Sequence, residues 1–296
     1  MMTEMVSRRF GDFDQWSTRD MVEAMYEGQL AALAAVKTVI DELATTAEVA
    51  AKRLSGHDGR LVYVGAGTSG RLAVQDGAEL GPTFGWPHDR LIFCMAGGMK
   101  ALTMSSERAE DIATDGCEQI RAANIGKDDV VIGVAASGQT PFTLGALIEA
   151  KSLGALTIGV VNNPNSPISR EVTHTLLAQT GCELIAGSTR MKAGTSQKVI
   201  LNMLSTAIMT RLGRVYKGLM VDMVVSNQKL EERAVGMICK ITGCDPSVAK
   251  PALKKANSNI KAAILMALGS SQLESERILA KAEGNLRQAL TIGNYD

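Results

Sequence analysis

Apolar residues recur at helical spacing from Met21 to about Leu54, with Met21, Met25, Leu30, Leu33, Val36, Ile40 and Leu43 returning to one side and Thr18 placed to cap the start. This predicts two consecutive helices that pack on the main domain or on a partner subunit, after a polar opening of about 16 residues without regular period. From His57 the pattern changes to short continuous apolar runs separated by helical stretches: Leu61–Val64, Leu91–Met95, Val130–Val134, Leu156–Val161 and His174–Leu177. Runs without alternation belong to strands buried on both faces. Their alternation with helices predicts an α/β fold, a doubly wound sheet of about five parallel strands with helices on both faces. Past Gly218, segments near Gln228–Cys239, Asp245–Asn257, Asn259–Leu268 and Ser270–Ala282 are helical and predict a small all-α C-terminal domain. The pattern divides the chain into an N-terminal arm with helices (1–53), a sheet domain (54–217) and a helical region (218–296).

In a doubly wound sheet, ligands collect at the carboxyl ends of strands where the winding direction reverses. The first strand runs into Gly65-Ala66-Gly67-Thr68-Ser69-Gly70-Arg71, a glycine turn followed by a helix. Such a turn offers free amides and the positive end of a helix dipole to an anion, and the hydroxyls of Thr68 and Ser69 can donate as well. The glycine spacing fits a dinucleotide fingerprint, but the second strand runs into Ala96-Gly97-Gly98 where a ribose-binding carboxylate is required. A Gly-Lys-Ser/Thr phosphate loop is absent. The turn therefore reads as a site for a smaller phosphorylated ligand.

The third strand ends in a similar turn, Ala135-Ala136-Ser137-Gly138-Gln139-Thr140-Pro141, with Pro141 suited to the first turn of a helix and the amides of Ser137 to Thr140 expected to face an anion. Either turn alone is also compatible with a simple tight loop; if the first and third strands are neighbours, both face one ligand. A third segment, Gly187 to Lys198, gathers hydroxyls, glycines and the cations Arg190, Lys192 and Lys198 at a helix start, where cations oppose the dipole unless an anion is present. A ligand anion would resolve that conflict; exposure of the cations to solvent is the alternative.

Composition narrows the function. Thirty-one basic and 31 acidic residues give zero net charge, which disfavours nucleic acid and anionic membrane surfaces. Five cysteines without a C-x-x-C pair and three histidines fit a reduced protein without a structural metal. The polar opening lacks the basic start and apolar core of a signal peptide, and no apolar run reaches membrane-spanning length, so a cytoplasmic location is expected.

Several of these stretches carry a resemblance to a known family. They are Tyr63-Val64-Gly65-Ala66-Gly67-Thr68-Ser69-Gly70-Arg71-Leu72, Ala78-Glu79 with Pro82-Thr83, Ala109-Glu110-Asp111, Ala135-Ala136-Ser137-Gly138, Leu201 to Thr206, Leu219-Met220-Val221-Asp222 and, most specifically, Gly187-Ser188-Thr189-Arg190-Met191-Lys192-Ala193-Gly194-Thr195. The chain resembles the N-acetylmuramic acid 6-phosphate etherases of the sugar isomerase (SIS) superfamily, relatives of the glucokinase regulatory protein. The resemblance implies an SIS-type sheet, a ubiquitin-associated-like three-helix C-terminal domain, a homodimer and a reaction without cofactor. It implies cleavage of the D-lactyl ether of N-acetylmuramic acid 6-phosphate by elimination and hydration, giving N-acetylglucosamine 6-phosphate and D-lactate in cell-wall amino sugar recycling or catabolism. It assigns Glu79 as the acid that protonates the departing lactate and Glu110 as the base at C2. Phosphate contacts fall on Ser69, Ser137 and Thr140, with Gly67, Thr68 and Gly138 in the same turns and Arg190 and Lys192 as further candidates.

The chemistry of the residues agrees with two carboxyls, since proton removal beside a carbonyl and departure of an alkoxide both need a positioned acid or base. The two must differ in protonation at neutral pH. Glu79 sits among Ala78, Leu80, Gly81 and Pro82, whereas Glu110 has Glu107 and Asp111 nearby, and these surroundings leave open which carboxyl titrates higher. One departure is local: Leu80-Gly81 stands where the family commonly has Cys-Pro, and Gly77-Ala78 where it has Ala-Ser. A phosphosugar-sensing regulatory protein and an aldose–ketose isomerase are the alternative readings; retention of both glutamates and the segment Gly187 to Thr195 favour the etherase.

Overall fold

A computed structural model describes residues 1–56, 58–104 and 108–295; His57 and Glu107 lie outside the described residues. The chain forms two compact units, Met1–Gly77 with Asp89–Ala207, and Ala78–His88 with Ile208–Asp296. In the first unit the predicted helices are α1 (Thr18–Lys37) and α2 (Ile40–Leu54). Ser17, rather than Thr18, caps α1, its hydroxyl accepting from Asp20 N at 3.2 Å. Small residues four apart, Ala24, Gly28, Ala32 and Val36, make the buried stripe of α1. The opening arm forms three short 3-10 turns, and Thr3 within it is wholly buried.

The five strands are β1 (Leu61–Gly65), β2 (Leu91–Met95), β3 (Val130–Ala135), β4 (Leu156–Val161) and β5 (His174–Leu177), all parallel, in the order β2-β1-β3-β4-β5. Every residue of β1, β3 and β4 is buried, which is why these runs show no alternation. Between and after them run α3 (Gly67–Ala78), α4 (Leu80–Phe84), α5 (Ala113–Ala122), α6 (Pro141–Ser152), α7 (Pro167–Glu171) and α8 (Lys192–Arg211). One sheet face packs Val62, Val64 and Val131 against Ile120 of α5, Phe142, Ala146 and Leu147 of α6 and Ile168 of α7. On the other side α2 packs across β3, β4 and β5. Tyr63 of β1 also meets Asp76 of α3, which accepts from Tyr63, from Asn202 Nδ2 and from Ser205 Oγ of α8. Burial, partly offset by those hydrogen bonds, pushes the Asp76 carboxyl up.

The chain winds outward from β1 to β2 and returns on the other side of β1 as β3. Gly65 stands opposite Met95 on one side and Val134 on the other, so the turns after β1 and β3 start side by side. At the amino ends, Asp129 accepts from the Arg60 guanidinium at 2.7 Å and from the Arg60 and Gly126 amides at 2.8 Å. Burial alone would raise the Asp129 carboxyl, but the bonds from Arg60 and Gly126 and the Arg60 charge outweigh it and hold it below its ordinary value.

The second unit contains α9 (Gln228–Thr242), α10 (Pro246–Lys255), α11 (Ile260–Ala267), α12 (Gln272–Lys281) and α13 (Leu286–Ile292). They enclose a core that includes Met237, Ile238, Leu253, Ile264, Leu265 and Leu290. Asn227, Asn259, Ser271 and Asn285 each accept a hydrogen bond from a first-turn amide and set the starts of α9, α11, α12 and α13. The last of these helices lies beyond the four segments that periodicity outlines. Among the described residues no helix is long and apolar enough to cross a membrane.

Two outcomes follow. A carboxyl held below its unfolded value stabilises the fold above the unfolded pKa, and that contribution is lost as pH falls through the folded pKa. Asp129→Asn is therefore expected to cost about 1–3 kcal/mol at neutral pH, with the gap to the natural protein closing on acidification in urea unfolding series; a gap independent of pH would remove the ion pair from the stability. Gly138 has φ +65°, and a Cβ there would stand 2.3 Å from Ser166 Oγ. Gly138→Ala is expected to destabilise by ~1–3 kcal/mol in thermal unfolding, since both the conformation and the contact oppose a side chain.

Candidate functional site

In the first turn, β1 passes into α3 so closely that a Cβ on Gly65 would stand 2.7 Å from Gly70 Cα. The α3 start thus lies directly on the strand end. Ser69 Oγ donates to Gln197 Oε1 at 2.9 Å, and Gln197 Nε2 donates to Asn162 Oδ1 at 2.9 Å. Asn162, just beyond β4, donates its side-chain amide to Ala178 O and Ser196 Oγ and its backbone amide to Ala136 O at 3.1 Å. Asn163 Nδ2 donates to the same carbonyl and to Thr3 Oγ1 of the opening arm. Gln197 and Asn162 are buried, so a dry chain of amides joins the turn after β1 to the residue before Ser137.

In the turn after β3, the expected supply of free amides is smaller than the sequence suggests. Gly138 N donates to Ala135 O and Gln139 N to Ser137 Oγ, so the turn satisfies part of its own backbone. Ser137 and Thr140 are half-buried; Thr140 occupies the N-cap position of α6 with Pro141 behind it, and its hydroxyl makes no capping bond. These residues follow β3 as Thr68 and Ser69 follow β1, and the two strands pair side by side.

At the α8 start the anion inferred from the clustered cations is part of the chain. Glu183, fully buried, accepts from Lys192 N at 3.0 Å and Ala193 N at 2.9 Å. It caps the helix and balances the dipole, so no ligand is required there. Lys192 is buried as well, and its ammonium donates to Thr180 O at 2.8 Å rather than facing a cleft. Arg190 and Lys198 are exposed. The segment still borders the first turn: a Cβ on Gly194 would lie 3.7 Å from Thr68 Cγ2. Glu183, Gln197, Asn162 and Asn163 escape a motif-based reading; two asparagines directly after the buried run of β4, at the same end as both turns, are the signal that points to them.

The two carboxylates occupy different settings. Glu110 sits in a 3-10 turn, Ala109–Asp111, ahead of α5. Its Oε2 lies 3.9 Å from the point a Cβ on Gly67 would occupy, which brings it to the first turn. Glu110 is exposed, yet partial desolvation and then the Asp111 charge push its carboxyl above the ordinary value. Glu79 belongs to the second unit and is exposed at the N-cap position of α4. Beside it Leu80 is buried, and Gly81 has room for a side chain, its nearest neighbour to a Cβ being Trp86 O at 3.7 Å.

Comparison with known proteins agrees with this geometry. Residues 42–151 match the glucokinase regulatory protein N-terminal SIS domain, and residues 112–207 match the SIS domain. A phosphoheptose isomerase from Francisella tularensis has the same fold over 66% of this chain and 100% of its own, with a TM-score of 0.51 at 15% identity. The N-acetylmuramic acid 6-phosphate etherase of Deinococcus radiodurans is 44% identical over 98% of this chain and 95% of its own. That of Erwinia tasmaniensis is 44% identical over 94% of this chain and 91% of its own. Identity at this level over nearly the whole length places the chain in the N-acetylmuramic acid 6-phosphate etherase family, built on an SIS domain.

Proposed function

We propose that this protein cleaves the D-lactyl ether of N-acetylmuramic acid 6-phosphate by elimination and hydration, releasing D-lactate and N-acetylglucosamine 6-phosphate, a step of amino sugar recycling or catabolism. Beyond family membership, the observation that carries this reading is the Glu110 carboxylate at the glycine turn after β1, raised in pKa. In the open-chain aldehyde the proton at C2 is acidified by the carbonyl at C1. Glu110 takes it; the electron pair forms the C2–C3 double bond and the C3–O bond breaks. Glu79 gives its proton to the departing lactate oxygen. Water then adds at C3, passing its released proton to the Glu79 carboxylate, and Glu110 returns its proton to C2, so both carboxyls are restored and the cycle needs no redox partner. The raised carboxyl of Glu110 holds a proton more tightly than an ordinary carboxylate does; the division into base and acid is taken from the family resemblance.

The phosphate is assigned to Ser69, Ser137 and Thr140, with Thr68 and the backbone at Gly67 and Gly138. Ser69 presently donates to Gln197, so binding exchanges that bond for one to a phosphate oxygen. Arg190, exposed in the same segment, is a long-range attractor of the dianion, whereas Lys192 is buried with its ammonium on Thr180 O and is left out of the phosphate contacts. Self-association as a homodimer is supported by the exposed row Val22, Tyr26, Leu30 and Leu33 on α1, an apolar stripe at helical spacing. The proposed setting is the cytoplasm, where a phosphorylated sugar is retained.

The test is incubation with N-acetylmuramic acid 6-phosphate in oxygen-18 water, followed by mass spectrometry. D-lactate and heavy oxygen at C3 of the sugar are expected; intact substrate in the presence of folded protein would overturn the proposal. Glu110→Gln and Glu79→Gln are each expected to lose ~100- to 10,000-fold in turnover. In Asp111→Asn the neighbouring negative charge is gone and the Glu110 pKa falls, so the acidic limb of kcat/KM is expected to move to lower pH. An unmoved limb would show that Glu110 is not the titrating base.

A further inference from the structure

Glu79 is the one residue between the end of α3 at Ala78 and α4, a helix of five residues that is too short to hold its own shape. The far end of α4 is gripped within the second unit. The Arg214 guanidinium donates through Nη1 to Phe84 O at 2.7 Å and Gly85 O at 2.9 Å, the carbonyls that end the helix, and lies 5.1 Å above the ring of Trp86, which is buried. A cation at this position satisfies carbonyls that the helix leaves without partners and opposes the negative end of its dipole. Gly85 adopts φ +61°, and a Cβ on it would stand 2.4 Å from Asp222 O, so residues 222–224 run directly along the same segment; Val224 N donates to Pro82 O at 3.1 Å. Asp222 is itself fixed by Lys261 at 2.5 Å, whose ammonium also donates to Gly284 O. From α4 the grip thus extends into the helical core.

We infer that Arg214 is a positioning residue for Glu79, acting through α4, and that the helical C-terminal region is thereby part of the catalytic apparatus. The inference rests on the assignment of Glu79 as the proton donor to the leaving lactate. Loosening the far end of α4 lets its N-cap residue, Glu79, drift, and a displacement on the order of 1 Å at a catalytic group can cost ~100-fold in rate. Binding of the phosphate, assigned to turns in the first unit, is left unchanged.

The test uses the full-length protein carrying Arg214→Met and Arg214→Lys, with lactate release, substrate KM and affinity for N-acetylglucosamine 6-phosphate measured for each. Arg214→Met is expected to lower kcat ~10- to 100-fold with KM and product affinity within about twofold, and Arg214→Lys to recover part of the loss. In the double variant Arg214→Met/Glu79→Gln, turnover is expected to match Glu79→Gln alone, because a residue that acts through Glu79 adds nothing once Glu79 is disabled. Losses that multiply, or an effect confined to KM, would overturn the inference. Should Arg214→Met fail to fold, Arg214→Lys carries the test through the same double variant and through hydrogen exchange of residues 79–88, expected to quicken there; normal turnover and unchanged exchange in that variant would refute it. If Glu79→Gln alone remains active, the assignment of Glu79 fails; if it is inactive while Arg214→Met is normal, only the role of Arg214 fails.

Discussion

The hydrogen-bonded pairing of β1 with β3, opposite its pairing with β2, is the constraint on which the rest of the first unit depends. Because parallel crossovers are right-handed, the chain can leave β1 in one direction and return in the other only by reversing its winding, and the reversal opens a crevice at the carboxyl ends. Two hydroxyl-bearing turns that lie about 70 residues apart in the chain are thereby brought to adjacent strand ends. Val, Ile and Leu on both faces hold the pairing, each fully buried side chain contributing on the order of 1.5–3 kcal/mol. The Arg60–Asp129 pair ties the same two strands at their amino ends, away from the turns.

A strand pairing fixes where the turns begin, and the buried amides decide how they are held. Gln197 and Asn162, both buried, connect Ser69 to the backbone at Ala136, so the two turns are joined by a run of hydrogen-bonded amides. Such groups are costly to bury unpaired, which gives this network its single arrangement. The same rule governs charge: Glu183 meets the α8 amides, and Asp222 meets Lys261. What looked like cations awaiting a ligand is in part a helix already neutralised from within.

The two glutamates differ in how they are supported. Glu110 hangs from a single 3-10 turn, with desolvation and Asp111 shaping its proton affinity. Glu79 is borne by a short helix whose far end is anchored by Arg214 and by the approach of Asp222 to Gly85. A five-residue helix has little stability of its own, so its far end depends on a side chain more than a hundred residues later in the chain.

Much of this was legible from the amino-acid order alone. Runs such as Val130–Val134 and Leu156–Val161 declare buried strands because nothing polar interrupts them, and both glycine turns follow from residues that sit next to one another. Family membership was legible for the same reason, since its motifs are local and Glu79, Glu110 and the segment from Gly187 to Thr195 are contiguous with them. Boundaries set by small energy differences are less legible: Ser17 takes the cap expected of Thr18, and α13, Leu286–Ile292, lies beyond the outlined helices. Tertiary structure alone decided that Glu183 is the anion at the α8 start, that Lys192 turns inward to Thr180, and that Arg214 closes on α4. Each of these is a long-range choice of partner for a polar group removed from water, and a charge or amide in a sequence carries no mark of which distant group will satisfy it.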